Sequence, residues 1–153
     1  MSYIFKPMRI QEAEEIVNWH YAGDYSFYDM KSDKEDLDEF LEPSNWEDTY
    51  FTVYKDKELI GFFSFNRMVD ETVEIGLGIK PSLTGKGLGY EFIISGLEFA
   101  KNRYNTDKFS LAVATFNQRA IKAYKKIGFE PNGTFIQKTN GGEYEFLRMK
   151  RES

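Results

Sequence analysis

The sequence lacks cysteine altogether and contains a single histidine, His20. Without cysteine the chain has no disulfide, no thiolate metal site and no cysteine nucleophile. A single imidazole also excludes a metal centre built from several histidines. We therefore expect neither a metal cofactor nor a cysteine-based reaction.

Long apolar runs and an excess of basic residues are absent as well. No stretch approaches the ~20 apolar residues of a membrane-spanning helix, so we expect a cytoplasmic protein without membrane contact. The formal net charge is −5, from 20 Lys and Arg against 25 Asp and Glu. Binding to nucleic acid requires clustered basic residues, so we expect no nucleic-acid partner. The 153 residues show no linker, repeat or low-complexity segment, which indicates one domain spanning 1–153.

Aromatic residues, by contrast, are abundant: the chain has 14 Phe, 10 Tyr and 2 Trp. Many of them lie between residues 19 and 28, where Trp19, Tyr25 and Tyr28 are candidate substrate-binding residues. Acidic residues dominate the segment that follows, 33–48. An aromatic pocket with an acidic rim would suit a cationic amine or a basic peptide. The same pattern also fits a solvated acidic helix above ordinary core aromatics.

Hydrophobic periodicity divides the chain into short strands and helices, which indicates an α+β (mixed α/β) fold. Strands are predicted at 3–8, 49–54, 58–65, 72–79, 109–114, 129–138 and 143–150. Helices are predicted at 11–19, after a capping box at Ser32 and Glu35, after residue 89 and at 118–127. Asn117 would cap the last of these helices and Gly128 would end it. Asn140-Gly141-Gly142 predicts a hairpin turn between the last two strands.

The segment Thr84-Gly85-Lys86-Gly87-Leu88-Gly89 connects a predicted strand to a predicted helix. Glycines allow close approach of the backbone, and N–H groups at a helix start can bind phosphate. A Walker loop would need glycine at Lys80 and Ser or Thr at Gly87, and a dinucleotide G-x-G-x-x-G would need glycine at Tyr90. A different phosphate cradle and a plain strand-to-helix turn both remain open.

Two motifs resemble the signatures of the GNAT family of N-acetyltransferases. Residues 81–89 resemble the family's acetyl-CoA turn, Arg/Gln-x-x-Gly-x-Gly/Ala, placed five residues after a strand-end aliphatic, here Ile79. Gly87 and Gly89 are the signature glycines, whereas Thr84 stands where the family usually has Arg or Gln. Residues 117–129 resemble the second signature, Asn…Ala…Tyr…Gly-Phe. The resemblance implies a central, mostly antiparallel twisted sheet of six to seven strands flanked by about four helices.

The resemblance also implies that acetyl-CoA is the co-substrate and that an amine attacks its thioester directly. It assigns cofactor binding to Leu77, Ile79, Thr84, Gly85, Lys86, Gly87, Leu88, Gly89 and Asn117, the last of these toward the pantetheine arm. Thr84 would weaken one pyrophosphate contact without removing the backbone cradle. Tyr124 stands at the position of the general acid toward the coenzyme A sulfur. Capping alone would also explain Asn117, and packing alone would explain Tyr124.

Glu74 is the candidate general base, because Glu74-Ile75-Gly76 resembles a motif of the family's ribosomal-protein-acetylating branch. Strand alternation would place Glu74, Gly76 and Gly78 on one face, with room beside the carboxylate for a ligand. A solvent-facing strand glutamate is the alternative.

The implied function is transfer of an acetyl group from acetyl-CoA to a primary amine of a peptide, a protein or a small cationic metabolite. One alternative is a non-catalytic acyl-CoA-binding module, which would not need the acid–base groups Tyr124 and Glu74. Another is a peptide-binding module that uses the aromatics of 19–28 and has no use for the glycine turn. Many relatives pair through the C-terminal hairpin, so the resemblance also allows a homodimer.

Overall fold

A computed structural model describes residues 3–46, 48–84 and 87–152. Within these residues, seven strands form one sheet in the order β1-β2-β3-β4-β5-β7-β6. The strands are β1 (Ile4–Pro7), β2 (Tyr50–Lys55), β3 (Glu58–Arg67), β4 (Val73–Ile79), β5 (Lys108–Ala114), β6 (Glu130–Thr139) and β7 (Gly142–Glu152). Neighbouring strands are antiparallel except β4 and β5, which run parallel. The predicted fold class is therefore confirmed.

Helices cover both faces of this sheet. They are α1 (Ile10–Ile16), α2 (Lys34–Phe40), α3 (Gly89–Tyr104) and α4 (Gln118–Ile127). The alternation of side chains along β3 separates two apolar clusters: Phe63 packs with α3 and α4, whereas Phe62 packs with α1 and α2. No helix in the described ranges is long and apolar enough to cross a membrane.

The parallel strands β4 and β5 diverge along their length. Their Cα partners are Val73 with Phe109 and Glu74 with Ser110, both at the start of the strands. Beyond that point β4 follows β3 as far as Ile79, and β5 follows β7 as far as Ala114. The result is a gap between the carboxyl ends of β4 and β5, here called the wedge.

The segment between α1 and α2, residues 17–33, differs from the sequence prediction in its boundaries, in its 3-10 turns and in the cap of the helix that follows. The first helix ends at Ile16 rather than at residue 19, and the segment contains short 3-10 turns at Gly23–Tyr28 and Met30–Ser32. The predicted cap by Ser32 is wrong, because the Asp33 carboxylate accepts the N–H of Asp36 at 3.1 Å. Ser32 Oγ instead donates to the carbonyl of Ser26.

The turn between β6 and β7 is hydrogen-bonded to the 17–33 segment. Asp33 Oδ2 accepts from Thr139 Oγ1 at 3.0 Å and from the Asn140 N–H at 2.9 Å. Asn140 Nδ2 donates to the carbonyl of Phe27 at 2.8 Å. The predicted turn is confirmed, with Asn140 and Gly141 in the left-handed region that a tight hairpin requires. We call these three hydrogen bonds the latch.

Candidate active site

A cavity of about 500 Å³ lies between the wedge, the 17–33 segment and the β6–β7 hairpin. Eight of the sequence-predicted site residues line it, and they come from every part of the prediction: Trp19, Tyr25, Tyr28, Leu77, Ile79, Thr84, Asn117 and Tyr124. Glu74, Gly87, Leu88 and Gly89 are not among the described lining residues. Gly85 and Lys86 lie outside the described residues. The fold therefore brings the predicted acid, most of the cofactor strand and the predicted substrate residues to one space.

Tyr124 lies on α4 and forms part of the inner wall of this cavity. Its side chain is 8% exposed and packs edge-on against Phe129, with ring centroids 5.9 Å apart. Burial, with a contribution from Tyr28, raises the pKa of the Tyr124 hydroxyl. A phenol with a raised pKa stays protonated throughout the neutral range, so it is available as a proton donor.

Asn117 has two side-chain partners at the start of α4. Its Oδ1 accepts the N–H of Ala120 at 3.2 Å, which confirms the predicted N-cap. Its Nδ2 donates to the hydroxyl of Tyr28 at 3.2 Å. Burial raises the pKa of Tyr28, and the hydrogen bond from Asn117 opposes this rise. Asn117 therefore connects the wedge to the 17–33 segment as well as capping the helix.

The carboxyl end of β4 is exposed to the cavity. Leu77 and Ile79 line it and are half-buried, whereas Ile75, nearer the start of the strand, is buried. The hydroxyl of Tyr21 donates to the carbonyl of Ile79 at 2.7 Å. Burial and the charge of Asp29 raise the pKa of Tyr21. This hydrogen bond sets the position of the 17–33 segment relative to the strand that resembles the family's cofactor strand.

The described part of the glycine turn has the features of an anion cradle. Gly87 has a φ of +77°, and no described atom lies within 4 Å of the place that a Cβ would take at Gly87 or at Gly89. Gly89 is also the first residue of the 16-residue helix α3, whose free N–H groups and dipole favour an anion. Thr84 Oγ1 donates to the carbonyl of Pro81 at 2.8 Å, so this hydroxyl closes the local turn instead of replacing the family's Arg or Gln.

The surroundings of Glu74 are only partly as predicted. Gly76 and Gly78 line the cavity, whereas Glu74 is not a described lining residue. Glu74 pairs with Asn66 on one side and Ser110 on the other, where β4 and β5 are still joined. Neighbouring side chains occupy the places that a Cβ would take at the two glycines, 2.5 Å from Ser64 Oγ at Gly76 and 2.4 Å from Phe62 Cε1 at Gly78. The role of Glu74 as base stays a prediction from the resemblance, without support from this geometry.

Charged side chains also line the cavity. Its carboxylates are Asp29, Asp36 and Glu39, and its guanidinium is that of Arg119, which stacks over the Tyr25 ring at 4.4 Å. Burial, followed by the charges of Asp33, Glu39 and Glu35, raises the pKa of Asp36. A cation bound beside these carboxylates would relieve their mutual repulsion. Among the described residues, the acidic helix is therefore one wall of the cavity rather than only a solvated surface.

Sequence reasoning did not select Tyr21, Asp29 or the hairpin residues Asn140 and Phe146 as site residues. Tyr21 belongs to the aromatic segment 19–28 and Asp29 follows it, but the hydrogen bonds of Tyr21 to β4 and of Asn140 to Phe27 join residues far apart in the sequence. The Tyr21 hydrogen bond spans 58 positions and that of Asn140 to Phe27 spans 113. Short-range periodicity carries no signal for such contacts.

Comparison with known proteins agrees with this geometry. The family model "Acetyltransferase (GNAT) domain" matches residues 3–130. The acetyltransferase PseH of Campylobacter jejuni is 28% identical over 130 residues, which is 82% of this chain and 81% of that protein.

Solved structures share the fold at lower identity. The spermidine N-acetyltransferase of Vibrio cholerae in complex with CoA and spermine aligns with a TM-score of 0.77 at 21% identity, covering 98% of this chain and 95% of that one. A GNAT-family acetyltransferase from Bacillus anthracis aligns with a TM-score of 0.76 at 17% identity, covering 99% and 95%. Because the family model spans most of the sequence, the chain belongs to the GNAT family of acetyltransferases.

Proposed function

We propose that this protein transfers an acetyl group from acetyl-CoA to the primary amine of a small cationic molecule. The observation that carries the proposal is the single cavity that joins Tyr124 and the end of β4 to an aromatic wall with three carboxylates. The hydrogen bonds of the latch hold the β6–β7 turn against the 17–33 segment at one side of this cavity. A cavity of about 500 Å³ is of the size usual for small-molecule sites.

The residues present fit acetyl-CoA. The space above Gly87 and Gly89, where no described atom lies within 4 Å of an added Cβ, is next to the start of α3 and suits a pyrophosphate. Leu77, Ile79 and Asn117 would hold the pantetheine arm in the wedge, and the backbone cradle would do without a contribution from Thr84. When bound, acetyl-CoA supplies the acetyl group as a reactive thioester.

Proton transfer belongs to Tyr124 in this proposal. In this step the amine nitrogen would form a bond to the acetyl carbon as the carbon–sulfur bond breaks. The Tyr124 hydroxyl would donate its proton to the leaving sulfur and regain a proton from the nitrogen as the amide forms. The raised pKa of Tyr124 supports this role, since the group is protonated when the reaction begins. The amine must lose a proton before it attacks, and Glu74 stays the base that the resemblance predicts.

The acceptor class follows from charge and aromatic lining. Asp29, Asp36 and Glu39 favour a cation, and Trp19, Tyr25 and Tyr28 offer ring faces or hydroxyls to it. The name of one solved relative supports this class, since that protein is a spermidine N-acetyltransferase in complex with CoA and spermine. We place polyamines first among the acceptors to test, ahead of the ribosomal proteins suggested by the Glu-Ile-Gly motif.

Two further properties belong to the same proposal. Both apolar clusters pack on one sheet, which supports a single domain over residues 1–153. The homodimer implied by the resemblance stays a prediction.

Thermal unfolding with acetyl-CoA and a turnover screen test this function together. Ligand at ~100 times its dissociation constant adds about 2.7 kcal/mol, which raises the melting temperature by roughly 5–10 °C for a domain of this size. The screen includes spermidine, an aminoglycoside, a lysine-containing basic peptide and a neutral amino acid. We expect a thermal shift and acetylation of a polycationic amine.

The outcomes separate the alternatives. Absence of a shift at millimolar acetyl-CoA would refute the cofactor assignment. A shift without acetylation of any amine would favour the non-catalytic acyl-CoA-binding module. If the basic peptide is acetylated much faster than spermidine, the acceptor is a peptide rather than a polyamine.

A further inference from the structure

We propose that Asp29 is the residue that binds an ammonium group of the acceptor, and that His20 holds the Asp29 carboxylate in place. The inference rests on the proposed function and assigns a specific residue to acceptor recognition. It concerns a residue outside the acidic segment 33–48 that the sequence pattern emphasised.

Asp29 has the geometry of a built anionic site. Its side chain is 13% exposed, and it lines the cavity. One carboxylate oxygen accepts the N–H of Tyr21 at 2.8 Å. The other lies 2.6 Å from Nδ1 of His20, and because a carboxylate only accepts, this ring nitrogen is the donor. Two donors thus fix the carboxylate, while each oxygen retains lone-pair capacity for a cation.

The other carboxylates near the cavity are less suited to this role. Asp36 and Glu39 line the cavity from α2, but both residues are more exposed to solvent than Asp29, even though partial burial raises the pKa of Asp36. Greater exposure weakens their interaction with a cation. The Asp33 carboxylate is occupied by Thr139, Asn140 and the N–H of Asp36. Asp29 is therefore the least exposed carboxylate among the described lining residues.

Asp29 is also positioned relative to the cofactor strand. Tyr21, whose N–H binds Asp29, donates through its hydroxyl to the carbonyl of Ile79 on β4. A single residue thereby connects the Asp29 carboxylate to the strand proposed to hold the pantetheine arm. His20 is 75% exposed and is not a described lining residue, so it acts through Asp29 as a positioning residue.

The test is steady-state kinetics with spermidine, or with the fastest amine of the screen, on matched variants. Asp29→Asn keeps the shape and an acceptor for Tyr21 but removes the charge. We expect the KM for the amine to rise roughly 10- to 100-fold, as for a lost hydrogen bond to a charged group, with the KM for acetyl-CoA unchanged. Asp38→Asn is the control, because Asp38 carries the same charge on α2 but does not line the cavity.

His20 is tested by two variants that differ in one hydrogen bond. His20→Ala removes the donor to Asp29 and should raise the amine KM by roughly threefold to tenfold. His20→Asn retains an N–H at the position of Nδ1 and should restore most of the affinity. Melting temperatures of all variants show whether each one is folded.

Several results would overturn the inference. An unchanged amine KM in folded Asp29→Asn would do so while leaving the proposed function intact. If the double variant Asp36→Asn with Glu39→Gln raised the amine KM more than Asp29→Asn does, the ammonium group would be assigned to the carboxylates of α2 instead. Equal behaviour of His20→Ala and His20→Asn would remove the positioning role of His20. If the unaltered protein acetylates no amine, the proposed function fails first and takes this inference with it.

Discussion

At the scale of single residues, the hydroxyl of Tyr124 is the group proposed as the general acid. Its ring packs against Phe129, and this packing does not involve the oxygen. We expect Tyr124→Phe to fold and to bind acetyl-CoA normally, while turnover falls by about 10²- to 10⁴-fold, the usual contribution of a general acid. Melting curves with and without acetyl-CoA measure folding and cofactor binding, and single-turnover rates measure the chemical step.

A second tyrosine supplies the control. Tyr104 on α3 donates its hydroxyl to the carbonyl of Asp48, away from the cavity. Tyr104→Phe loses that hydrogen bond and should cost stability of about 1 kcal/mol without changing turnover. A rate for Tyr124→Phe near that of the unaltered protein would mean that another group protonates the sulfur.

Gly87 offers a residue-scale test of the cofactor cradle. Asparagine adopts a positive φ such as the +77° of Gly87 more often than most side chains, so Gly87→Asn adds a side chain there with less strain than a β-branched residue. We expect the dissociation constant of coenzyme A to rise at least about tenfold, because that side chain occupies space needed by the pyrophosphate. Calorimetric titration measures the change.

Gly133 is the matched position for this variant. It also has a positive φ, +91°, and a Cβ added there would have no described atom within 4 Å, but it lies in β6 outside the cavity lining. Gly133→Asn should bind coenzyme A normally. Equal binding by both variants would show that the turn at 84–89 is not the phosphate site.

At the scale of elements, the close approach of α3 to β3 depends on Gly96. A Cβ at this position would lie 2.2 Å from Cζ of Phe63, which is fully buried and stacked on Phe92 with centroids 4.7 Å apart. Alanine normally stabilises a helix interior by about 0.5–1 kcal/mol over glycine, but overpacking a core costs about 1–3 kcal/mol. We expect Gly96→Ala to lower the free energy of unfolding, measured by urea denaturation.

The same helix contains its own control for stability. At Gly89 no described atom lies within 4 Å of the added methyl group. Gly89→Ala should leave the urea midpoint unchanged or raise it. An increase in stability in Gly96→Ala would instead mean that Phe63 can move aside and that α3 is less tightly packed than the structure indicates.

Elements with local signals could be predicted from the sequence. The cap at Asn117, the helix end at Gly128 and the turn after Thr139 each depend on residues within a few positions. The choice of Asp33 over Ser32 as the cap could not be predicted. The Asp33 carboxylate is also held by hydrogen bonds from Thr139 and Asn140, which lie more than 100 positions away. The side chains that pack against Gly76 and Gly78 could not be predicted for the same reason, since Phe62 and Ser64 belong to the neighbouring strand.

At the scale of the whole molecule, a net charge of −5 and the lining carboxylates should attract a cationic acceptor and not the anionic cofactor. Raising the salt from 0.1 M to 1 M shortens the screening length from ~10 Å to ~3 Å. We expect the amine KM to rise with salt while the KM for acetyl-CoA does not. Neutralising Asp36 and Glu39 together should weaken this salt dependence, since both line the cavity.

Asp38 distinguishes a local effect from the overall charge. It pairs with Lys34 and does not line the cavity, so Asp38→Asn should retain the full salt dependence. Kinetics that do not change with salt for the best acceptor would mean that long-range attraction plays no part in its capture.

The latch has a consequence for how acceptor choice can diverge during evolution. Thr139 and Asn140 lie at a hairpin tip and hold the 17–33 segment through Asp33 and Phe27. They belong neither to α4, which carries Tyr124, nor to the glycine turn. Surface turns tolerate substitution better than buried elements. Mutations at this tip can therefore reshape the acceptor pocket while the glycine turn and α4 stay untouched, so that new substrates are explored without loss of the underlying chemistry.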